Sequence, residues 1–464
     1  MAARADAAAA RGSAVRVRLA RVSHSVDLRR EIEQLPLGGA HRLIVGVLAL
    51  ATLFDGYDVF VPAYVIPQAM RSWRLVPSEA GLLVSSGLIG FMAGSLVNGA
   101  LADRIGRKPV LVGALAVAAL GNAANALWAD SFGRFLAARL ITGIGLGMIL
   151  PLAVTLVNEI SPRARTNSLV GWMMSGWSIG GVAAALAGLA LAPSHGWTAL
   201  FGVGALAAPV AALAAVLLPE SPRFLAIRGR QRELRAVMAR LCAGRAERYR
   251  EAEFSSGEDA AHRGSFALLL APAVRRGTLI VWTCSGLSLF AIFGLSSWTP
   301  QIMLERGAHI GTSFAYGALL QSAAVVGGIG CGSIADRAGR DRTLLASWLL
   351  GAASVAAIAL VRLPATDVAA LAVAGFFVMG AQTVLNNRTA ALYDTEIRST
   401  GVGVELGVGR LGAILGPYIG GWIEQLAPGS AALFLSIAGV LVVCAAFIGM
   451  LQRTAPELAA STAE

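Results

Sequence analysis

Asp55 and Asp58 interrupt an otherwise apolar stretch near residues 42–65. They are three residues apart and so share one face of a helix. An ionised carboxylate at the centre of a membrane helix costs about 2.5–3.5 kcal/mol, and two neighbouring carboxylates repel each other. A carboxyl in that setting is suited to taking up and releasing a proton; the plainer alternative is a pair held permanently by a cation such as Arg139. Arg139 and Glu159 bracket another apolar segment about 30 Å long, so they cannot touch and each needs a partner elsewhere. For Glu159, an ion pair with Arg163 or with the nearby turns serves equally well. Arg410 lies in a further apolar segment beside Gly407, Gly409 and Gly412. Its guanidinium stays charged and offers a fork of donors matched to a carboxylate, while the glycines let a ligand or a backbone approach. The expectation is that Arg410 holds an anionic substrate group; the alternative is a bridge between helices near one end. Tyr57, Gln321, Gln382, Asn386 and Trp298 are expected beside it as substrate contacts, and Trp172, Trp177 and Tyr64 are further aromatics that suit either an apolar cavity or an interface belt.

These residues need long apolar elements to carry them, and the composition supplies them. Of the 464 residues 56% are hydrophobic and only 14% charged, against about a quarter in soluble chains, and mean hydropathy is +0.67. Twelve stretches of membrane-crossing length fit the chain. The expected organisation is a tail over 1–40, six spans over 41–219, a polar loop over 220–275, six spans over 276–453 and a second tail over 454–464. Within the loop, residues 230–235 and those that follow suit a surface helix. The first tail lacks the short apolar region and cleavage site of a secretory signal and reads as a disordered cytoplasmic segment. The net charge of +11 is unevenly placed: 30 of the 38 Lys and Arg fall in alternate loops and the tails, 5 near the other face and 3 within spans. That asymmetry puts both termini in the cytoplasm of a cell inner membrane and argues against nucleic-acid binding. Four cysteines without paired spacing and five scattered histidines offer no metal or disulfide framework. No nucleophile or cofactor constellation appears either, so neither an enzyme nor a cofactor is expected.

The two halves echo each other. Gly99-Ala100-Leu101-Ala102-Asp103-Arg104-Ile105-Gly106-Arg107 returns as Gly332-Ser333-Ile334-Ala335-Asp336-Arg337-Ala338-Gly339-Arg340, offset by 233 residues. Glu159-Ile160 returns as Glu396-Ile397, and Pro219-Glu220 as Pro456-Glu457, each offset by 237. Repeated membrane halves with a site between them are the architecture of carriers. The charged turns, with Asp103, Arg104, Arg107, Asp336, Arg337, Arg340 and Arg398, are expected to act as latches whose ion pairs differ between states. The glycine runs 327–332 and 412–421 follow no strand and are expected to be packing faces.

From residue 40 to 457 the chain resembles the major facilitator superfamily, through the two charged turns and Arg139-x-x-x-Gly143-x-Gly145. Within it the chain is most similar to the aromatic acid:H+ symporter family. The residues that carry this likeness are Asp55-Gly56-Tyr57-Asp58, Leu218-Pro219-Glu220-Ser221-Pro222-Arg223, Gly380-Ala381-Gln382-Thr383-Val384-Leu385-Asn386, and Arg398-Ser399-Thr400-Gly401 running to Gly409-Arg410-Leu411-Gly412. The resemblance implies an all-α membrane protein, twelve transmembrane helices in two six-helix bundles. It also implies a transport role for the span-one acids and a proton-coupling role for Arg139, with which we group Glu159. The chain departs from the family pattern at Arg388, Asp394 and Glu405; Arg388 and Glu405 are expected to form a private ion pair or to reshape the site for a more polar ligand. The resulting reading is a proton-coupled importer of an organic acid, aromatic by resemblance, working as a monomer in the lipid bilayer. Its rivals are proton-antiport efflux and a membrane sensor that does not transport.

Overall fold

The structure, a computed structural model, describes residues 25–255, 266–272, 274–361, 363–394, 397–429 and 431–461, without the side chains of 25, 243, 399 and 452–461. The first part of the tail, residues 1–24, and the loop residues 256–265 lie outside it, as do Glu396 in the second echo and the side chain of Glu457 in the third. Among the described residues twelve helices are long and apolar enough to cross a membrane: Gly39–Trp73, Pro77–Ile105, Arg107–Leu127, Phe132–Ile160, Thr166–His195, Thr198–Leu217, Arg275–Glu305, Ile310–Ala338, Arg340–Leu360, Pro364–Leu392, Thr400–Leu426 and Ala431–Leu451. We number them spans one to twelve; the protein is a multi-pass membrane protein.

Span one outruns its expected end at residue 65, continuing through Pro62 and Pro67 to Trp73. Proline survives inside a membrane helix because neighbouring groups re-satisfy the backbone it frees. Span ten contains a π-helical turn, Gly375–Met379, just ahead of Gln382. The last helix runs Ala431–Ser461, past the expected start of the second tail at 454.

Spans one to six and seven to twelve form two bundles, which meet where span two crosses span eleven, span five crosses span eight and span one crosses span seven. The contact lies on the side away from the termini. There Ser85 Oγ donates to Ile414 O at 2.7 Å and Ser78 N to Gln425 at 3.4 Å, while Tyr64 packs edge-on against Phe314. At the opposite, termini-bearing face, Asp103, Arg104, Asp336, Arg337, Arg340 and Arg398 are exposed. The bundles are thus joined at the far face, while these charged side chains of the basic face are open to solvent.

Part of the tail and the loop are not loose but fold together on the first bundle. Ser25–Asp27 pairs in parallel with Glu253–Ser255. Asp27 then caps the helix Leu28–Glu33 by accepting from Arg29 N and Arg30 N. The predicted surface helix is present as Gln231–Leu241, burying Leu234, Met238 and Leu241. What fastens the plate is Glu31, 6% exposed, whose carboxylate accepts from Tyr249 Oη at 2.7 Å and Arg245 Nη1 at 2.9 Å, with Arg248 at 3.4 Å. Burial alone would raise the Glu31 carboxyl, but these donors outweigh it and hold it below its ordinary value; burial and Glu31 together push Tyr249 up to about 12. A depressed carboxyl stabilises above its unfolded value and loses that contribution as pH falls through its folded value. Wild type is therefore expected to unfold at a higher temperature than Glu31→Gln above about pH 4.5. The two unfolding temperatures, measured by intrinsic fluorescence in detergent, are expected to converge at lower pH.

Candidate functional site

The acidic turn of span one is held rigidly by span five. A Cβ on Gly56 would run into the carbonyl of Trp177, and one on Gly176 or Gly180 into the carbonyls of Ala49 or Leu53. Only glycine lets the two backbones come this close. Against that fixed frame the two acids part company. Asp58 faces the interior of the first bundle, where Asn122 Nδ2 donates to it at 2.7 Å and Arg139 Nη1 lies 3.7 Å away. Arg139 also donates to the Asp58 carbonyl at 3.2 Å, faces the Phe201 ring at 5.6 Å, and lies against Gly87, where a Cβ would crowd its guanidinium. Asp55 is equally buried, yet neither of its carboxylate oxygens has a hydrogen-bond partner. The charges acting on it are Asp58 and, from the other bundle, Arg410.

Arg410 reaches across the interface. Its guanidinium lies 4.8 Å from the centre of the Phe91 ring of span two, a cation–π contact, and it is within electrostatic range of Asp55. An aromatic group spans the same interface: Phe60 of span one stacks on Phe293 of span seven at 6.1 Å and meets Trp177 of span five edge-on at 5.3 Å. Gln321 borders Phe60 at Gly181, with its Oε1 unpartnered. On span ten Gln382 Nε2 donates to Asn386 Oδ1 at 2.9 Å, and Gln382 Oε1 is unpartnered. Where spans one, two, five, seven, eight and eleven come together, the chain thus offers one guanidinium, one unpaired carboxyl, aromatic faces and the amide of Gln321.

Other expected contacts belong elsewhere. Tyr57 turns into the first bundle and donates to Leu200 O at 2.8 Å, tying span one to span six. Trp298 is fully buried in the second bundle, its Nε1 donating to Pro417 O at 3.0 Å against Gly420. Both rings carry a donor that must be matched when buried, and a backbone carbonyl on a neighbouring span was the available match. Trp172 is 70% exposed. Arg388 pairs with Asp341 at 2.6 Å rather than with Glu405, because span nine presents that carboxylate beside it.

Glu159 stands apart from the acidic pair, 3.8 Å from Arg107, which in turn pairs with Asp103 at 3.0 Å. Glu220 completes this cluster, accepting from the amides of Arg107 at 2.9 Å and Lys108 at 3.3 Å at the start of span three, where a carboxylate meets the positive end of a helix. Gly106 makes the approach possible: its φ is +105°, and a Cβ there would strike Glu220. Arg228 closes the other side, donating to the carbonyls of Asp103 and Arg104. The second copy of the turn keeps the backbone, with Gly339 at φ +88°; Glu396 and the side chain of Glu457, the counterparts of Glu159 and Glu220, lie outside the described residues. Sequence reading passed over Asn122, Phe60, Phe91 and Phe293, and met Glu220 only within a repeat echo and a family motif; of the four, only Asn122 gave a signal, as an amide within a run of small apolar residues.

The Major Facilitator Superfamily model matches residues 48–404 and 323–464. The chain belongs to that superfamily. It is 33% identical over 418 residues to a gallate transporter of Pseudomonas putida, covering 89% of this chain and 92% of that one. It is 31% identical to a 4-hydroxybenzoate transporter of the same organism, over 86% and 90% of the two chains, and 31% identical to a niacin transporter of Acinetobacter baylyi, over 92% and 97%. Among solved structures it is similar to a bacterial homologue of the human lysosomal transporter Spinster, inward-facing and unoccupied, with TM-score 0.73 and 17% identity over 91% and 99% of the chains. Family and relatives alike make it a transporter and not an enzyme.

Proposed function

We propose that the protein imports an aromatic acid together with protons by alternating access. It sits in the inner membrane as a monomer with both termini in the cytoplasm, and the bundles 41–219 and 276–453 are the moving bodies. The observation that carries the reading is Asp55, a buried carboxyl without a hydrogen-bond partner, facing the charge of Arg410 on the opposite bundle. The single charge of one guanidinium cannot neutralise two carboxylates. The substrate's carboxylate and ionised Asp55 therefore compete for Arg410, and the anion binds well only when Asp55 carries a proton. On the empty return stroke Asp55 balances Arg410 instead. Phe60, Phe293 and Trp177 offer faces to the ring, and Gln321, Gln382 and Asn386 offer amides to its polar substituents. Asp58 with Arg139 and Asn122 fixes the acidic turn. Glu159 belongs with Asp103, Arg107 and Glu220 to the latch at the cytoplasmic face. The names of the relatives support the substrate class, and the +11 charge concentrated on the termini-bearing face supports the orientation.

The experiment is uptake into proteoliposomes of labelled gallate, 4-hydroxybenzoate, benzoate, nicotinate, an aliphatic acid, a sugar and a cationic drug, with the interior alkaline. Accumulation of at least one aromatic acid, abolished by a protonophore, is expected. Accumulation of the drug alone under the reversed gradient would replace import with efflux, and binding without movement of any compound would replace it with sensing.

A further inference from the structure

A second buried carboxyl lies in the other bundle, outside the site just described. Glu405 of span eleven is fully buried, and neither carboxylate oxygen has a hydrogen-bond partner. Room for it comes from the small residues one turn away on either side. Gly401 lies against the Tyr393 ring, and Gly409 against Ser285 and Leu289.

Among the described residues the groups that act on it are hydroxyls rather than cations. Ser285 Oγ of span seven donates to the Glu405 carbonyl at 3.4 Å. Tyr393, at the end of span ten, is close enough for the Glu405 charge to act on it, and its own hydroxyl donates to Thr278 at 3.1 Å in the first turn of span seven. Cys284, next to Ser285, points its thiol at the Cys444 carbonyl of span twelve. The nearby cations are engaged elsewhere, Arg398 just ahead of span eleven with the Tyr393 carbonyl and Arg410 of span eleven with the Phe91 ring. Arg388 is taken by Asp341.

An acid in such a place adds nothing to stability. Ionised and unpaired it costs several kcal/mol, and an apolar or amide replacement would pack at least as well. Its position near the basic end of span eleven, beside the hydroxyls of Tyr393 and Thr278, is suited to exchanging a proton with that face.

We propose that Glu405 is a second proton-binding site of the transport cycle, so that each substrate anion travels with two protons. It takes up a proton as the carboxylic acid and gives it to water at the basic face, leaving the carboxylate. Asp55 and Glu405 then carry one proton each, and two protons with a monoanion move one net positive charge. Import is electrogenic.

This rests on the proton-coupled reading above, and the test separates the two. Proteoliposomes at equal pH on both sides are given a tenfold potassium gradient with valinomycin, interior negative. The labelled probe is whichever panel acid accumulates under the pH gradient. Wild type is expected to accumulate it about tenfold, the equilibrium value for one net charge. Glu405→Gln and Glu405→Ala are expected to lose this response while keeping pH-driven uptake and wild-type thermal stability or better. Wild type that accumulates the acid with pH but ignores the potential overturns the second site and leaves the proton-coupled reading standing. So does a Glu405→Gln variant that keeps the potential response, or the loss of both responses in both variants. Wild type that ignores both gradients overturns the proton-coupled reading itself.

Discussion

Asp55→Asn is expected to abolish net accumulation of the substrate acid while leaving exchange of labelled for unlabelled acid across the membrane. Asparagine has nearly the shape of the protonated acid, so Arg410 stays free for the incoming carboxylate, and the loaded carrier can still reorient in both directions. What fails is the empty return, because nothing then balances Arg410 in a low-dielectric interface. With a gradient of two pH units, one proton alone supports about a hundredfold accumulation, and Asp55→Asn is expected to stay near unity. Counterflow into preloaded proteoliposomes is expected to remain within a few-fold of wild type and to become independent of external pH. Loss of counterflow along with net uptake would instead mark Asp55 as a group needed for binding. Asp58 does not have this freedom, because it shares its site with Arg139, 2% exposed, whose neutralising partner it is. Removing one member of a buried pair typically costs about 3–5 kcal/mol, so the two acids of one helical turn do different work.

That division could not be read from the sequence, although its parts could. An acid or an arginine inside an apolar segment is conspicuous in any membrane chain, and Asp55, Asp58, Arg139 and Arg410 stand out for that reason. The repeated charged turn likewise reveals two related halves. Hidden from such a reading is which partner each charge finds across the bundle. Asn122 decides that Asp58 is the satisfied acid, yet it lies 64 residues away on span three. Asp341, which takes Arg388 from Glu405, sits on span nine. Trp298 and Tyr57 look like site residues by type, but aromatic residues serve packing and binding equally, and only the nearby carbonyls of Pro417 and Leu200 reveal their structural use. The folded plate on the basic face depends on pairing between residues 25–27 and 253–255, a contact too distant in sequence for local patterns to announce.

Replacing Arg410 by lysine separates a binding role from a packing one, because lysine keeps the charge and loses the fork. A guanidinium offers a carboxylate two parallel hydrogen bonds, whereas an ammonium meets it as a point charge. The loss of one charge-assisted bond, about 1.5–3 kcal/mol, is expected to raise the apparent KM of Arg410→Lys for the aromatic acid by roughly tenfold to a hundredfold. The maximal rate is expected to fall less, since the lysine can still be balanced by Asp55 on the return stroke. Were the guanidinium only a tie between the bundles through Phe91, lysine would serve nearly as well, for an ammonium also binds an aromatic face. An unchanged KM would therefore overturn the binding role. The double variant Asp55→Asn with Arg410→Gln sharpens the point. It restores neutrality to the interface and is expected to recover folding yield lost in Arg410→Gln, where Asp55 is left without the opposing charge. It is not expected to recover transport of the anion, because the only cation we assign to the substrate's carboxylate is gone.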